Sequence, residues 1–212
     1  MEGTIMHVTS RMIRVASGAS MNDAIGQVNQ ILGHLNSTHG SEFGAGIQLG
    51  GDAQVIGITG RFESLADYEA LRAAMGTDEV VQSLIRVGDS LFDNTIEDTI
   101  WKSRIAPSEP ELYSTVASAN IALTRVGDAM AFAAEITATV SEILGKQGGL
   151  ATAVTGDRSR VVWVGNAASL AEVEESGDKL EASAEYMDLF KRSEGLIVPN
   201  TLQQNIWQRV TS

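Results

Sequence analysis

One block of sequence occurs twice, and it constrains the fold more than any other feature of the chain. Gly51-Asp52, Gly60 and Ser64-Leu65-Ala66-Asp67 return as Gly156-Asp157, Gly165 and Ser169-Leu170-Ala171-Glu172. Every matched position is displaced by the same 105 residues, with six identities and one Asp-to-Glu change. Each copy reads as a turn, a strand and a capped helix. Gly-Asp is turn chemistry, Val55–Phe62 and Arg160–Gly165 are apolar runs, and Ser64 and Ser169 stand three residues before an acid in the manner of a helix N-cap. Solenoid repeats have periods of about 20–50 residues, so this longer period implies two similar domains.

The segments around each block complete the pattern. Ile5–Val15 reads as a strand. Ser20 with Asp23 opens a helix whose Ala24, Ile25, Val28, Ile31, Leu32 and Leu35 form one apolar face. Phe43, Ala45, Ile47 and Leu49 then alternate with Gly44, Gly46 and Gln48 as a strand. Gly50-Gly51-Asp52 turns into Val55–Phe62. Two capped helical stretches follow, to about Met75 and from Asp78 to about Val87. Asn94–Ser103 alternates again, with Ile96 and Ile100 on one face and Trp101 on the other. The order is β-α-β-β-α-β, a ferredoxin-like unit. The second half replays it from Val116–Val126 to Thr201–Val210. The expected division is residues 1–106, a proline-bearing linker at 107–111, and residues 112–212. The fold class is therefore α+β, two tandem ferredoxin-like repeats.

A second match sits out of step. Gln30-Ile31-Leu32-Gly33 resembles Glu142-Ile143-Leu144-Gly145 at a spacing of 112. Taken as equivalent, these segments leave seven extra residues in the first copy, in a polar loop from His34 to Glu42.

Charge and composition remove several function classes. The chain carries 15 basic and 27 acidic residues for a net charge of −12. Residues 1–106 hold 7 basic and 13 acidic, and residues 107–212 hold 8 and 14, so each half is −6. An evenly acidic surface repels phosphate backbones, and nucleic acid is not an expected partner. There is no cysteine, which removes disulfides, thiolate metal sites and a cysteine nucleophile. The first residues lack a signal peptide's basic and apolar regions, and no apolar run nears the ~20 residues of a membrane span. No membrane association and a cytoplasmic location are the expectations.

Tandem β-α-β-β-α-β organisation over nearly the whole chain resembles the dimeric α+β barrel superfamily in its fused, two-repeat form. The resemblance implies two antiparallel sheets forming an α+β barrel with helices outside, and a tendency to homo-oligomers. It spans antibiotic-biosynthesis-type monooxygenases, haem-degrading enzymes, lactone isomerases, stress-responsive barrels and chlorite dismutases. Chlorite-dismutase-like members hold haem through a histidine of the second repeat. Here His7, His34 and His39 all lie in the first, so no haem and no other cofactor is expected. What remains open is a barrel binding a small apolar or aromatic compound, as a cofactor-independent monooxygenase or isomerase, or a non-catalytic barrel serving assembly or stress-related binding.

The ligand-binding candidates are His39, Arg14, Phe43 and Trp101. His39, beside Ser37, Thr38 and Ser41, has the chemistry of a general base near neutral pH; the plainer reading is a solvated loop histidine. Arg14 and Arg125 stand 111 residues apart near the ends of the two first strands; the plainer reading pairs each with a neighbouring acid. Trp101 offers an aromatic wall with one donor, or is simply core. His34 and His39, at i and i+5, are poorly spaced for a shared metal, and no metal site is expected. The Gly44–Gly51 stretch lacks the Lys-Ser/Thr of a phosphate loop. A ligand is expected under the His34–Glu42 loop, with His39 close to Arg14 and to the strand face of Phe43, Ala45 and Ile47.

Overall fold

The computed structural model describes residues 6–50, 52 and 54–211. The expected strand start at Ile5 and the Gly51 of the first turn fall outside the described residues. The elements run β1 (His7–Val15), α1 (Met21–His39), β2 (Glu42–Leu49), β3 (Val55–Phe62), α2 (Leu65–Thr77), α3 (Glu79–Gly88) and β4 (Phe92–Ile105). The second series is β5 (Tyr113–Asn120), α4 (Val126–Leu144), β6 (Gly149–Ala153), β7 (Arg160–Ala167), α5 (Leu170–Ala182), α6 (Ala184–Arg192) and β8 (Gln203–Arg209). Hydrogen bonding orders the strands β1-β3-β2-β8-β5-β7-β6-β4 as a closed antiparallel barrel. The chain divides into two compact units, one of residues 1–102 with 208–212 and one of residues 103–207.

In the first unit the sheet order is β4-β1-β3-β2, with Ile13 of β1 opposite both Ile56 of β3 and Ile96 of β4. Because side chains alternate across a strand, Thr9, Arg11 and Ile13 share a face with Ile56, Ile58, Ile96, Asp98 and Ile100. Helix α1 covers that face. Its residues Ala24, Val28, Leu32 and Leu35 are buried together with Ile13, Val15, Ala45, Ile56 and Val81 of α3. Burying such a continuous apolar stripe is the main stabilising term, at about 25 cal/mol per Å² of apolar surface. Capping sets the helix ends. Ser20 accepts from the Asp23 N–H, and Ser64 and Asp67 form a reciprocal capping box.

The second unit packs Ile121, Ala129, Ala133, Leu150 and Val161 into its own core. Pro107–Glu111 is fastened to this unit: Ser108 N–H donates to Gln147 O at 2.8 Å, and Asn166 Nδ2 donates to the carbonyls of Ser108 and Glu109. Glu111 pairs with Lys146 at 2.7 Å.

Three sequence expectations change. Val116–Val126 is not one strand: β5 ends at Asn120, and residues 123–125 form a 3-10 turn leading into α4 at Val126. The first of the two helical stretches does not stop near Met75: α2 runs through Gly76 to Thr77. The His34–Glu42 loop does not exist. Helix α1 runs on to His39 and is as long as α4, 19 residues each, with both their starts and their ends 105 apart. Gly40 and Gly145, at φ of 62° and 66°, are the equivalent left-handed C-caps, a conformation glycine adopts without a steric penalty. The 112-residue match is seven residues, about two helical turns, out of register with the structure. Seven residues are so nearly two turns that an apolar helical face matches itself when slid by seven.

Candidate functional site

Between the helix-facing side of β4-β1-β3 and helices α1–α3 lies a cavity of about 300 Å³. Its floor is mostly apolar, with Ile13, Ile58, Val28, Leu32, Leu35 and Phe43 among the lining side chains. Ile85 and Ile96 stand at its edge and are about half exposed, at 45% and 53%. Tyr68 and Arg72 of α2 form another part of the wall, the guanidinium 5.9 Å above the phenol ring. Phe43, Phe62 and Tyr68 make a chain of edge-on and tilted rings, with centroids 5.9 and 5.0 Å apart.

A bidentate ion pair interrupts this apolar wall. Arg11 Nε and Nη2 donate to the two oxygens of Asp98, both at 2.7 Å. The two residues are direct cross-strand partners, and both line the cavity. Hydrogen bonding to Arg11 holds the Asp98 carboxyl below its ordinary pKa, and the same contact raises that of Arg11. Two-point recognition fixes the guanidinium plane. The pair is about half exposed, so it contributes little to stability. It places two charges on the wall of a cavity whose floor is mostly apolar.

The second repeat does not build this cavity. Ile58 opposite Arg11 corresponds to Trp163 opposite Ala117. The Trp163 indole donates to the carbonyl of Ala133 on α4 at 3.1 Å, so it reaches from the sheet to the helix. The second unit has a different hollow of about 360 Å³ near the start of α4, lined by Leu123, Val126, Met130, Arg104 and Arg158 among others. Two equivalent sheet positions therefore carry opposite size patterns, charged-and-open in one unit and small-against-aromatic in the other.

The sequence candidates separate. Phe43 lines the cavity. Arg14 does not: it pairs with Asp52 and lies 3.7 Å from Asp93. Its counterpart is not Arg125 but Asn120, which donates to Asp157 at 2.8 Å. Asp52 and Asp157 thus do the same work in both copies, closing their own turn through the Gln54 and Ser159 N–H groups and receiving the end of the first strand. That explains why the aspartate recurs. Arg125 pairs with Asp128 in the first turn of α4. Trp101 is buried, its indole donating to Ser10 Oγ at 2.8 Å, on the sheet face opposite Arg11 and Asp98. His39 lies at the end of α1 and is not part of the cavity lining.

His39 has another partner. Its Nε2 is 2.9 Å from Oδ2 of Asp78, and Nε2 of His34 approaches the same oxygen at 2.8 Å. The spacing argument against a shared centre fails because a third group, from the α2–α3 joint, lies where two long side chains on neighbouring turns converge. Hydrogen bonds from both histidines and from the Val81 N–H hold the Asp78 carboxyl far below its ordinary pKa.

Sequence reasoning missed Arg11, Asp98 and Ile58. The signal existed: Asp98 stands between Ile96 and Ile100 on the face read as apolar, and Arg11 stands two residues before Ile13. A charge in an otherwise apolar strand face needs a partner, and the antiparallel register supplies it.

No protein-family model matches the chain, and no curated protein sequence matches it significantly. Solved structures do share its fold. A candidate monooxygenase of Fusobacterium nucleatum is 9% identical with a TM-score of 0.73, covering 99% of this chain and 94% of its own. A candidate monooxygenase of Lactobacillus acidophilus is 8% identical with a TM-score of 0.69, covering 98% and 95%. An anthrone oxidase-like protein is 11% identical with a TM-score of 0.64, covering 98% and 92%. At these identities the likeness is one of fold, an α+β barrel.

Proposed function

We propose that this chain is a small-molecule-binding α+β barrel protein whose first unit oxygenates a compact aromatic compound without a cofactor. One observation carries the reading: the first unit opens a cavity between sheet and helices where the second inserts Trp163. The volume of about 300 Å³ stands at the low end of the ~300–1,000 Å³ typical of ligand pockets, which suits a compact fused-ring ligand. No histidine is among the residues lining it, and histidine is the commonest haem ligand. The lining does not fit a histidine-ligated haem.

The fold neighbours named as monooxygenases and as anthrone oxidase-like support anthrone as the substrate to test. Its CH₂ group is acidic because the resulting anion places charge on the ring oxygen. Arg11 and Arg72, both on the cavity wall, are positioned to stabilise an oxyanion there. Asp98, held ionised by Arg11, is a weak base, so deprotonation relies on stabilising the anion and water takes the proton. The carbanion carbon then adds O₂ and is protonated to a hydroperoxide. Loss of water leaves the quinone: one oxygen atom enters the product, the other leaves as water, and the two electron pairs come from the CH₂ carbon.

The test is aerobic incubation of anthrone with the full chain, following quinone absorbance and oxygen uptake. Ile58→Trp copies the second repeat and plugs the cavity. The reading expects quinone formation above background in the parent and a return to background in the plugged variant. Turnover unchanged by Ile58→Trp overturns the site. Saturable binding without oxygen uptake overturns the oxygenase and leaves a binding protein.

A further inference from the structure

The end of α1 and the joint between α2 and α3 bring together three groups that the cavity does not use. His34, His39 and Asp78 each offer one ligand atom, a ring nitrogen or a carboxylate oxygen, and these atoms lie within 4.8 Å of one another. The side chains are 24%, 20% and 11% exposed, enclosed yet reachable from solvent. Asp78 is fixed independently of the histidines: its Oδ1 caps α3 by accepting from the Val80 and Val81 N–H groups at 2.9 and 3.1 Å. Oδ2 is thereby aimed at the two imidazoles, which meet edge to face with centroids 6.3 Å apart.

We propose that His34, His39 and Asp78 form a binding site for a divalent transition metal of the zinc class. Two imidazole nitrogens and one carboxylate oxygen are the donors of an open zinc site, with water left to fill the fourth position. The donor set favours zinc, cobalt, nickel or copper over magnesium or calcium, which prefer all-oxygen shells. Tetrahedral ligands at about 2.0–2.1 Å from an ion lie about 3.3 Å apart. The present nitrogen-to-oxygen separations of 2.8 and 2.9 Å therefore open by about half an ångström, within reach of side-chain torsions. The ion takes the place of the two N–H···O contacts, and the capping bonds to Oδ1 hold the carboxylate as an outer shell does in metal sites.

The second repeat shows that the fold does not need this cluster. At the same 105-residue displacement stand Thr139, Leu144 and Ser183. Helix α4 ends there in the same left-handed glycine, and Ser183 caps α6 through the Tyr186 N–H at 3.2 Å. The same joint is thus closed by one hydroxyl without a titratable side chain, whereas the first unit gathers two of the chain's three histidines around one carboxylate. The site would clamp α1 to the α2–α3 joint, outside the cavity lining.

The experiment uses the full chain stripped with EDTA, titrated with ZnCl₂ by calorimetry and with CoCl₂ by visible absorption. One equivalent of each metal is expected to bind, with cobalt d–d bands of a four- or five-coordinate site and a melting temperature raised by zinc. His34→Gln and His39→Gln should each weaken binding tenfold or more. Asp78→Asn keeps a capping oxygen, so it should fold as the parent does and still lose affinity tenfold or more. His7→Gln should bind as the parent does. Absence of zinc and cobalt binding at tens of micromolar protein overturns the proposal. So does one-equivalent binding that survives both His34→Gln and His39→Gln.

Discussion

Gly60→Ala and Gly165→Ala replace equivalent glycines of the repeated block, yet the structure assigns them different costs. A Cβ at Gly60 would stand 2.3 and 2.6 Å from two ring carbons of Phe43 and 3.1 Å from Phe62. Ordinary contact begins near 3.4 Å, so the Phe43 ring must retreat by about 1 Å. It has little room, since Phe43 is the direct cross-strand partner of Gly60 and packs edge-on against Phe62. Overpacking of this kind costs about 1–3 kcal/mol, which lowers the melting temperature by about 2–4 °C per kcal/mol for a chain of this size. At Gly165 the nearest atom is the Thr115 hydroxyl oxygen at 2.8 Å, and rotation about one side-chain bond moves it away. Gly165→Ala should cost under about 1 kcal/mol. Thermal melts of the two variants, with Phe43→Leu and Phe43→Leu/Gly60→Ala completing a double-mutant cycle, measure the difference. The double variant should be more stable than the sum of the single effects, because the smaller side chain removes the clash. Equal melting temperatures for Gly60→Ala and the parent, or simple additivity in the cycle, would refute the account of Phe43 seated on Gly60.

Two further outcomes follow from the polar contacts. The folded-state pKa of Asp98 lies below its ordinary value, so its contribution is present above about pH 4 and is lost as pH falls through the folded value. Asp98→Asn should therefore melt below the parent at pH 7, by no more than about 1 kcal/mol for so exposed a pair, and the gap should narrow as pH falls below about 4; a gap that does not change with falling pH contradicts the assignment. Ser64→Ala removes one arm of the α2 capping box and should cost about 1 kcal/mol, read by urea denaturation, whereas an unchanged midpoint would mean that α2 adds nothing to cooperative stability.

The repeated block was legible because its information is local. Gly-Asp, Ser-Leu-Ala-acid and the alternating strand between them specify turn, cap and extended backbone through bonds a few residues long. Asp78 as the start of α3 was legible for the same reason. The helix ends were not. Asn36, Ser37, Thr38 and His39 are polar, so the apolar face of α1 ends about a turn before the helix does, and because a 3.6-residue period nearly repeats after seven residues that face also matches its counterpart out of step. The cavity was hidden for a different reason: whether Ile58 leaves space depends on the side chains facing it from Arg11 and α1, as Trp163 fills the equivalent space against Ala117.

Sequence alone thus determined the α+β class, the apolar faces that form each core and the chemistry of the caps, all of which follow from backbone periodicity and near-neighbour hydrogen bonds. Tertiary structure decided the rest. It paired Arg11 with Asp98 across 87 positions and brought His34 and His39 to Asp78 across 44 and 39. It also moved Arg14 and Trp101 away from the cavity. Such pairings depend on strand register and helix packing, where a shift of one residue turns a side chain to the opposite face.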